Sequence, residues 1–257
     1  MTVLLRADSV SKAFGGVQAL SGCTVEVEQG SITGLIGPNG SGKTTLFNVM
    51  TGYDRVDQGE VLLRGRKITN APPDRVFGLG VGRTFQLTRI FPRLTVLENM
   101  LVPAHRGRRV RNPLARMGGP VERRHAMELL EFTGIAGHAS ELADTLSYGQ
   151  KKLLELACLL VADPSVMLLD EPAGGVNPSL INEIGARIRE LNAQGRTFLI
   201  VEHNMEFVMS LCHRVTVLDY GNVIAEGPPQ IIRSDARVLD AYLGGSLEED
   251  EDDAPAR

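Results

Sequence analysis

The stretch Gly37-Pro38-Asn39-Gly40-Ser41-Gly42-Lys43-Thr44 constrains this 257-residue chain more than any other. It is a glycine, four free positions and then Gly-Lys-Thr. Ile32 to Ile36 before it read as a short buried strand. Thr45-Leu46-Phe47-Asn48-Val49-Met50 after it read as a helix that stops at Gly52. A glycine-rich loop between strand and helix can curl so that successive backbone N–H groups point inward, at phosphate oxygens. The positive end of the following helix adds to that field. This spacing brings Lys43 within reach of β- and γ-phosphates and offers the Thr44 hydroxyl to Mg²⁺. The candidate nucleotide-binding set is therefore Gly37, Pro38, Asn39, Gly40, Ser41, Gly42, Lys43, Thr44 and Thr45. The bland alternative is a glycine-rich turn with an unrelated lysine, and the flanking elements argue against it.

Composition adds limits rather than chemistry. At 43% hydrophobic and 23% charged, the chain is long enough for one large domain or a domain plus a lobe. The net charge of −4 is uneven, because Glu248 to Asp253 are six successive carboxylates. The remainder is slightly basic, so no nucleic-acid partner is expected. Residues 245–257 are expected to be a solvated, disordered tail. Cys23, Cys158 and Cys212 are widely spaced, form no metal-ligand pair and imply reduced thiols in a cytoplasmic setting. Charge at Arg6 and Asp8 comes too early for a signal peptide. No apolar run approaches the roughly 18 residues that cross a bilayer. Work at a membrane would need another chain to supply the span.

Residues 3 to 35 read as strands and turns. Thr24-Val25-Glu26-Val27-Glu28 alternates apolar and polar, and Gln29-Gly30 turns into the strand ahead of the glycine-rich loop. Gly59 to Leu63 and Lys67-Ile68-Thr69, joined by Arg64-Gly65-Arg66, read as a hairpin, giving an antiparallel β lobe. Phe14 lies in this lobe, and spacing alone makes it a core aromatic. From about Thr95 to Asp163 the pattern is helical. Thr95-Val-Leu-Glu98 and Ser147-Tyr-Gly-Gln150 both fit a helix-start capping box, and Glu122 to Phe132 carries apolar residues at helical intervals. Arg106, Arg108, Arg109, Arg111 and Arg116 crowd one loop within this lobe. It reads first as a solvated surface loop, and secondly as a contact for a partner or anionic lipid headgroups.

The α/β rhythm then returns. Val166 to Leu169 is a buried strand ending in Asp170-Glu171. Asn177-Pro178 opens a helix with an apolar stripe of Ile181, Ile184, Ile188 and Leu191, closed at Gly195. Thr197 to Val201 is a further strand, ending in Glu202-His203. Val215 to Leu218 and Val223 to Ala225 form a hairpin through Tyr220-Gly221-Asn222, and a short helix runs to Gly244. The glycine-rich loop, Asp170-Glu171 and His203 thus follow the carboxyl ends of core strands, where open α/β sheets bind ligands. Asp170 matches the acidic residue that holds Mg²⁺ in phosphate-loop ATPases. Glu171 is placed to polarise an attacking water. His203 by itself would be a satisfied core histidine; its strand-end position makes it a γ-phosphate or water contact.

Leu146-Ser147-Tyr148-Gly149-Gln150 resembles the LSGGQ signature of ABC-type ATPases, with Tyr148 at the third position. Upstream, Gln86 in Arg83-Thr-Phe-Gln86 resembles the glutamine of the family's Q-loop. The likeness spans about Leu4 to Gly244 and is strongest to ATP-binding subunits of bacterial branched-chain amino acid importers. Val81 to Met100, Asp170 to Pro178, Val201-Glu-His-Asn-Met205 and Ala225-Glu-Gly-Pro228 carry it. The resemblance implies an α/β phosphate-loop NTPase core of ABC type, with an antiparallel β lobe and an inserted helical lobe. It implies one domain over 1–244, with β lobe and core in 1–94, helical lobe in about 95–163, and core again in 164–244.

It further implies that Phe14 stacks on adenine and that Ser147, Gly149 and Gln150 close over ATP held by a second ATPase chain, sibling or identical. Gln86 would touch Mg²⁺ and couple the site to the membrane subunit. Gly175-Val176-Asn177 would lie between subunits, with asparagine where the wider family has aspartate. ATP and Mg²⁺ are the implied cofactors. The implied partners are a second ATPase, two transmembrane permease subunits and, indirectly, an extracytoplasmic solute-binding protein. The implied place is the cytoplasmic face of a bacterial membrane. The implied activity is ATP hydrolysis driving uptake of branched-chain or related amino acids, or of another small solute such as urea or an aromatic acid. A soluble ABC ATPase working on nucleic acid or ribosomes is the rival. Its usual second cassette or long coiled-coil insertion is absent. A phosphate-loop kinase or GTPase is disfavoured by the signature and by the lack of an Asn-Lys-x-Asp motif.

Overall fold

A computed structural model of the chain describes residues 2–84, 90–104 and 118–248, with backbone alone at 104 and 243–248. Gln86, the arginine-rich segment 106–116 and residues 249–257 lie outside the described residues. In chain order the elements are β1 (Val3–Phe14), β2 (Val17–Glu28), β3 (Ile32–Ile36), α1 (Lys43–Thr51), β4 (Gln58–Leu63), β5 (Arg66–Lys67), α2 (Pro73–Leu79) and β6 (Val81–Arg83). Then come α3 (Val96–Ala104), α4 (Pro120–Phe132), α5 (Tyr148–Val161), β7 (Val166–Asp170), α6 (Pro178–Ala193) and β8 (Thr197–Val201). The chain ends with α7 (Met205–Leu211), β9 (Arg214–Asp219), β10 (Asn222–Gly227), α8 (Pro229–Ile232) and α9 (Ala236–Glu248).

Two sheets form. One is antiparallel and four-stranded, in the order β2-β1-β4-β5, and is the β lobe. The other is six-stranded, in the order β10-β9-β3-β8-β7-β6. It is parallel except for the β9–β10 hairpin. Strands β3, β7 and β8 are buried at every position, as expected for parallel strands covered on both faces. Side chains alternate across a strand, and here they divide the core in two. Met167, Leu169, Phe198 and Ile200 face helices α3 to α7. Val166, Leu168, Leu199 and Val201 face α1 and the β lobe. The large sheet is therefore the middle of three layers.

Local chemistry sets the helix boundaries. Gly52 ends α1 at φ 79°, donating back to Asn48 and Val49 carbonyls. Thr95 and Glu98 bond reciprocally across the start of α3, the Thr95 N–H donating at 2.8 Å and its hydroxyl accepting the Glu98 N–H at 3.1 Å. Ser147 and Gln150 do the same at α5. Asn177 caps α6 by accepting the Leu180 N–H, with Pro178 in the first turn. Three expectations need correction. The strand after the Arg64–Arg66 turn is Arg66–Lys67 alone, because Thr69 spends its hydroxyl on the Val61 N–H. The last helix runs on to Glu248, past Gly244 where it was expected to stop. Glycine costs a helix about 1 kcal/mol per residue and does not by itself end one. Phe14 is not a core aromatic, being 46% exposed at the tip of the β1–β2 hairpin.

All three cysteines are free thiols, and burial pushes each pKa up to about 12. At neutral pH the thiolate fraction is then on the order of 10⁻⁵. Alkylation of the native chain at pH 7.5 is expected to be negligible over an hour, and complete at all three sites after denaturation. Fast labelling of any one under native conditions would contradict the packing described.

Candidate active site

The loop between β3 and α1 is shaped by close backbone approaches. Gly37 has φ 153°, and a Cβ there would stand 2.0 Å from the Leu218 carbonyl oxygen. Gly42 has φ 104°, and its Cβ would meet the Ala19 carbonyl at 2.5 Å. Only glycine fits either place. The turn between β9 and β10 buttresses the loop from below, since the Gly221 N–H donates to the Ser41 carbonyl and its own carbonyl accepts from the Ser21 N–H. Helix α1 starts at Gly42 with no side-chain cap and no acidic residue in its first turn. Its positive end is therefore turned, uncompensated by any side chain, toward the loop.

Lys43 folds over that loop. Its ammonium donates to the Pro38 and Gly37 carbonyls at 2.6 and 2.8 Å and to the Ser41 hydroxyl at 3.3 Å. Burial lowers its pKa, and the nearby charges of Glu171 and Asp170 partly offset that. Thr44 is exposed and Thr45 half-buried on the first turn of α1.

The two carboxylates sit at the end of β7. Asp170 is buried and held from edge strand β6 by two contacts. Arg83 Nη2 donates to its Oδ2 at 2.8 Å, and the Thr84 hydroxyl accepts its N–H at 3.0 Å. Arg83 also donates to Asn48 Oδ1 at 2.6 Å and lies over the Phe47 ring, which joins β6 to α1. Glu171 follows with φ 48°, a left-handed conformation unusual outside glycine and common at functional sites. Its Oε1 lies 3.1 Å from His203 Nε2. The His203 side chain is 44% exposed, so it is no core histidine.

Phosphate loop, Asp170, Glu171 and His203 thus meet at one sheet edge. Ser147 and Gln150 bond within the helical lobe instead: Ser147 with Gln150, and the Gln150 amide with His138 Nε2 at 2.9 Å. Gly149 is half-buried, and a Cβ there would stand 2.2 Å from the Leu180 side chain of α6. Tyr148 packs beside Gly175, with the Lys152 ammonium 5.7 Å from its ring centre. Lys152 donates to the Glu171 carbonyl at 3.1 Å, tying α5 to the end of β7. Sequence reasoning did not single out Arg83, Thr84, Lys152 or Glu202. Arg83 and Thr84 stood three and two positions before Gln86, and Glu202 directly before His203. Only the adjacency could have drawn notice.

Residues 20–174 match the ABC transporter family. The chain belongs to that family. Residues 222–248 match the branched-chain amino acid ATP-binding cassette transporter family. The chain is 40% identical over 94% of its length to the probable branched-chain amino acid transport ATP-binding protein LivG of Archaeoglobus fulgidus, covering 95% of it. It is 37% identical, again over 94%, to the high-affinity branched-chain amino acid transport ATP-binding protein LivG of Escherichia coli, covering 98% of that protein. A solved ATP-binding cassette of an ABC transporter in its ADP conformation superposes with TM-score 0.85 at 35% identity, over 95% of this chain and 100% of the other. A dimeric cassette in a post-hydrolysis state, bound to ADP and phosphate, superposes with TM-score 0.78 at 26% identity, over 88% of this chain and 99% of that one. This ABC protein is an ATP-binding and ATP-hydrolysing member of the family, with the phosphate-loop fold that the resemblance implied.

Two variants test the geometry. Lys43→Ala is expected to raise the ATP dissociation constant at least tenfold, about 1.4 kcal/mol, by titration calorimetry; unchanged affinity would count against the loop. Arg83→Met leaves the buried Asp170 carboxylate without its ion pair. It should cost roughly 3 kcal/mol of stability in a denaturant titration, and a midpoint equal to the parent's would remove Arg83 from that role.

Proposed function

We propose that this ABC protein is the ATPase subunit of an importer for branched-chain or related amino acids. It would sit on the cytoplasmic face of a membrane, paired with a second ATPase chain and docked on two permease subunits, with a solute-binding protein acting through them. Among the described residues no helix is long and apolar enough to cross a membrane, which accords with a span supplied by the permeases. The solute follows from the similarity to the LivG proteins over 94% of the chain; no residue of this site would touch it.

The observation that carries the mechanism is the convergence of Lys43, Asp170, Glu171 and His203 at one sheet edge. Lys43, the loop amides and the start of α1 bind and orient the phosphates, and Phe14 offers its exposed ring to the adenine. The Thr44 hydroxyl and the Asp170 carboxylate are hard oxygen donors, a donor set that suits Mg²⁺. That ion would neutralise charge on the phosphate oxygens. Glu171 accepts a hydrogen bond from the attacking water, and His203, held by Glu171, reaches toward the γ-phosphate. A solved relative of the same fold is dimeric, and in such a pair Ser147, Gly149 and Gln150 would present a capped helix start to the nucleotide of the second chain.

Glu171→Gln keeps size and loses the charge. It should bind ATP in the presence of Mg²⁺ with parent affinity, turn over at least 100-fold more slowly, and run as a stable pair in size-exclusion chromatography. Near-parent turnover would remove Glu171 as the reacting carboxylate. Cells carrying this variant should lose uptake of labelled leucine; loss of urea or aromatic-acid uptake alone would reassign the solute.

A further inference from the structure

The last backbone link between the loops that carry Glu171 and His203 is the Glu171 N–H donating to the Val201 carbonyl. Strands β7 and β8 pair up to Asp170 and Val201 and then diverge. Beyond that point no backbone hydrogen bond joins the two loops among the described residues. One side chain does. Glu202 is 2% exposed, and its Oε1 accepts the Ala173 N–H at 2.5 Å. Its Oε2 accepts the N–H groups of His203 and Asn204 at 3.1 and 3.3 Å.

A buried carboxylate is costly unless its lone pairs are used, and here three backbone donors use them. Burial raises the Glu202 pKa and the three N–H groups pull it back, while the charge of Glu171 raises it further. An apolar side chain of the same size would avoid the desolvation. It would also leave the Ala173 N–H without this acceptor, in a buried place. The clamp therefore has a consequence that burial alone does not explain.

We propose that Glu202 is a positioning residue, which joins the backbone two residues beyond Glu171 to the backbone of His203 and thereby holds the Glu171 carboxylate at hydrogen-bond distance from the His203 ring. The inference rests on the roles given above to Glu171 and His203. Glu202 is buried and both its oxygens are taken by backbone N–H groups. It acts on the spacing of Glu171 and His203, so its loss should appear in turnover and leave nucleotide binding alone. The phosphate loop is held elsewhere, by the Gly221 N–H on the Ser41 carbonyl.

The test uses the full chain with ATP and Mg²⁺, comparing parent, Glu202→Gln, Glu171→Gln and the double variant. In Glu202→Gln one oxygen can still accept from Ala173, but the amide nitrogen meets the N–H groups of His203 and Asn204. The kcat is expected to fall at least tenfold with KM for ATP within twofold. The His203 and Asn204 amides should lose protection in hydrogen exchange. In the Glu171→Gln background, adding Glu202→Gln should change the residual rate less than twofold, because a group acting through Glu171 has nothing left to act on. Glu202→Gln with kcat within twofold of parent, or a full additional loss in the double variant, would overturn the proposal. Glu171→Gln running at the parent rate would instead overturn the reading of the site on which it rests. Should Glu202→Gln not fold, Glu202→Asp, charged but one methylene shorter, decides in the same way by kcat at constant KM.

Discussion

The parallel pairing of β8 with both β3 and β7 is the constraint on which the site depends. Leu35 and Asp170 are both aligned with Val201 across this central strand. The glycine-rich loop, the two carboxylates and the histidine therefore leave the sheet at the same height. A one-residue slip would turn every side chain of the slipped strand to its other face. Phe198 and Ile200 would then exchange layers with Leu199 and Val201, and Asp170 would point away from Arg83. The buried, two-sided character of these strands makes that slip expensive, and so the register is also what fixes the chemistry.

A second theme is how charges are kept in a place walled by apolar strands. Each polar group has a defined partner: Lys43 has the loop carbonyls, Asp170 has Arg83, and Glu171 has His203. Glu202 has backbone N–H groups alone. Such groups contribute little net stability, because desolvation offsets attraction. Their yield is geometry. The left-handed backbone at Glu171 belongs to the same arrangement, held by the Val201 carbonyl on one side and the Lys152 ammonium on the other.

Much of this was legible beforehand, for reasons that can be named. The strand–loop–helix around Lys43, the capping boxes at Thr95 and Ser147, the Asn177-Pro178 start of α6 and the Tyr220–Asn222 hairpin are local signals, set by residues within a few positions of one another. Helices α2 and α7 and strand β6 carry seven, seven and three residues. Segments that short have no periodicity to read. Phe14 was misplaced by pattern alone, since an aromatic at a hairpin tip has the same spacing as one in a core.

By itself the sequence determined where phosphate-binding backbone can form, which strands are buried on both faces, and which polar residues end them. These follow from short-range sterics and from the alternation of side chains along a strand. Only the tertiary structure decided which strands are neighbours. With that came the grip of Arg83 and Thr84 on Asp170, and of Glu202 on Ala173. Those contacts join residues 87, 86 and 29 positions apart. No local rule reaches so far, because it is the packing of the whole sheet that brings their strands together.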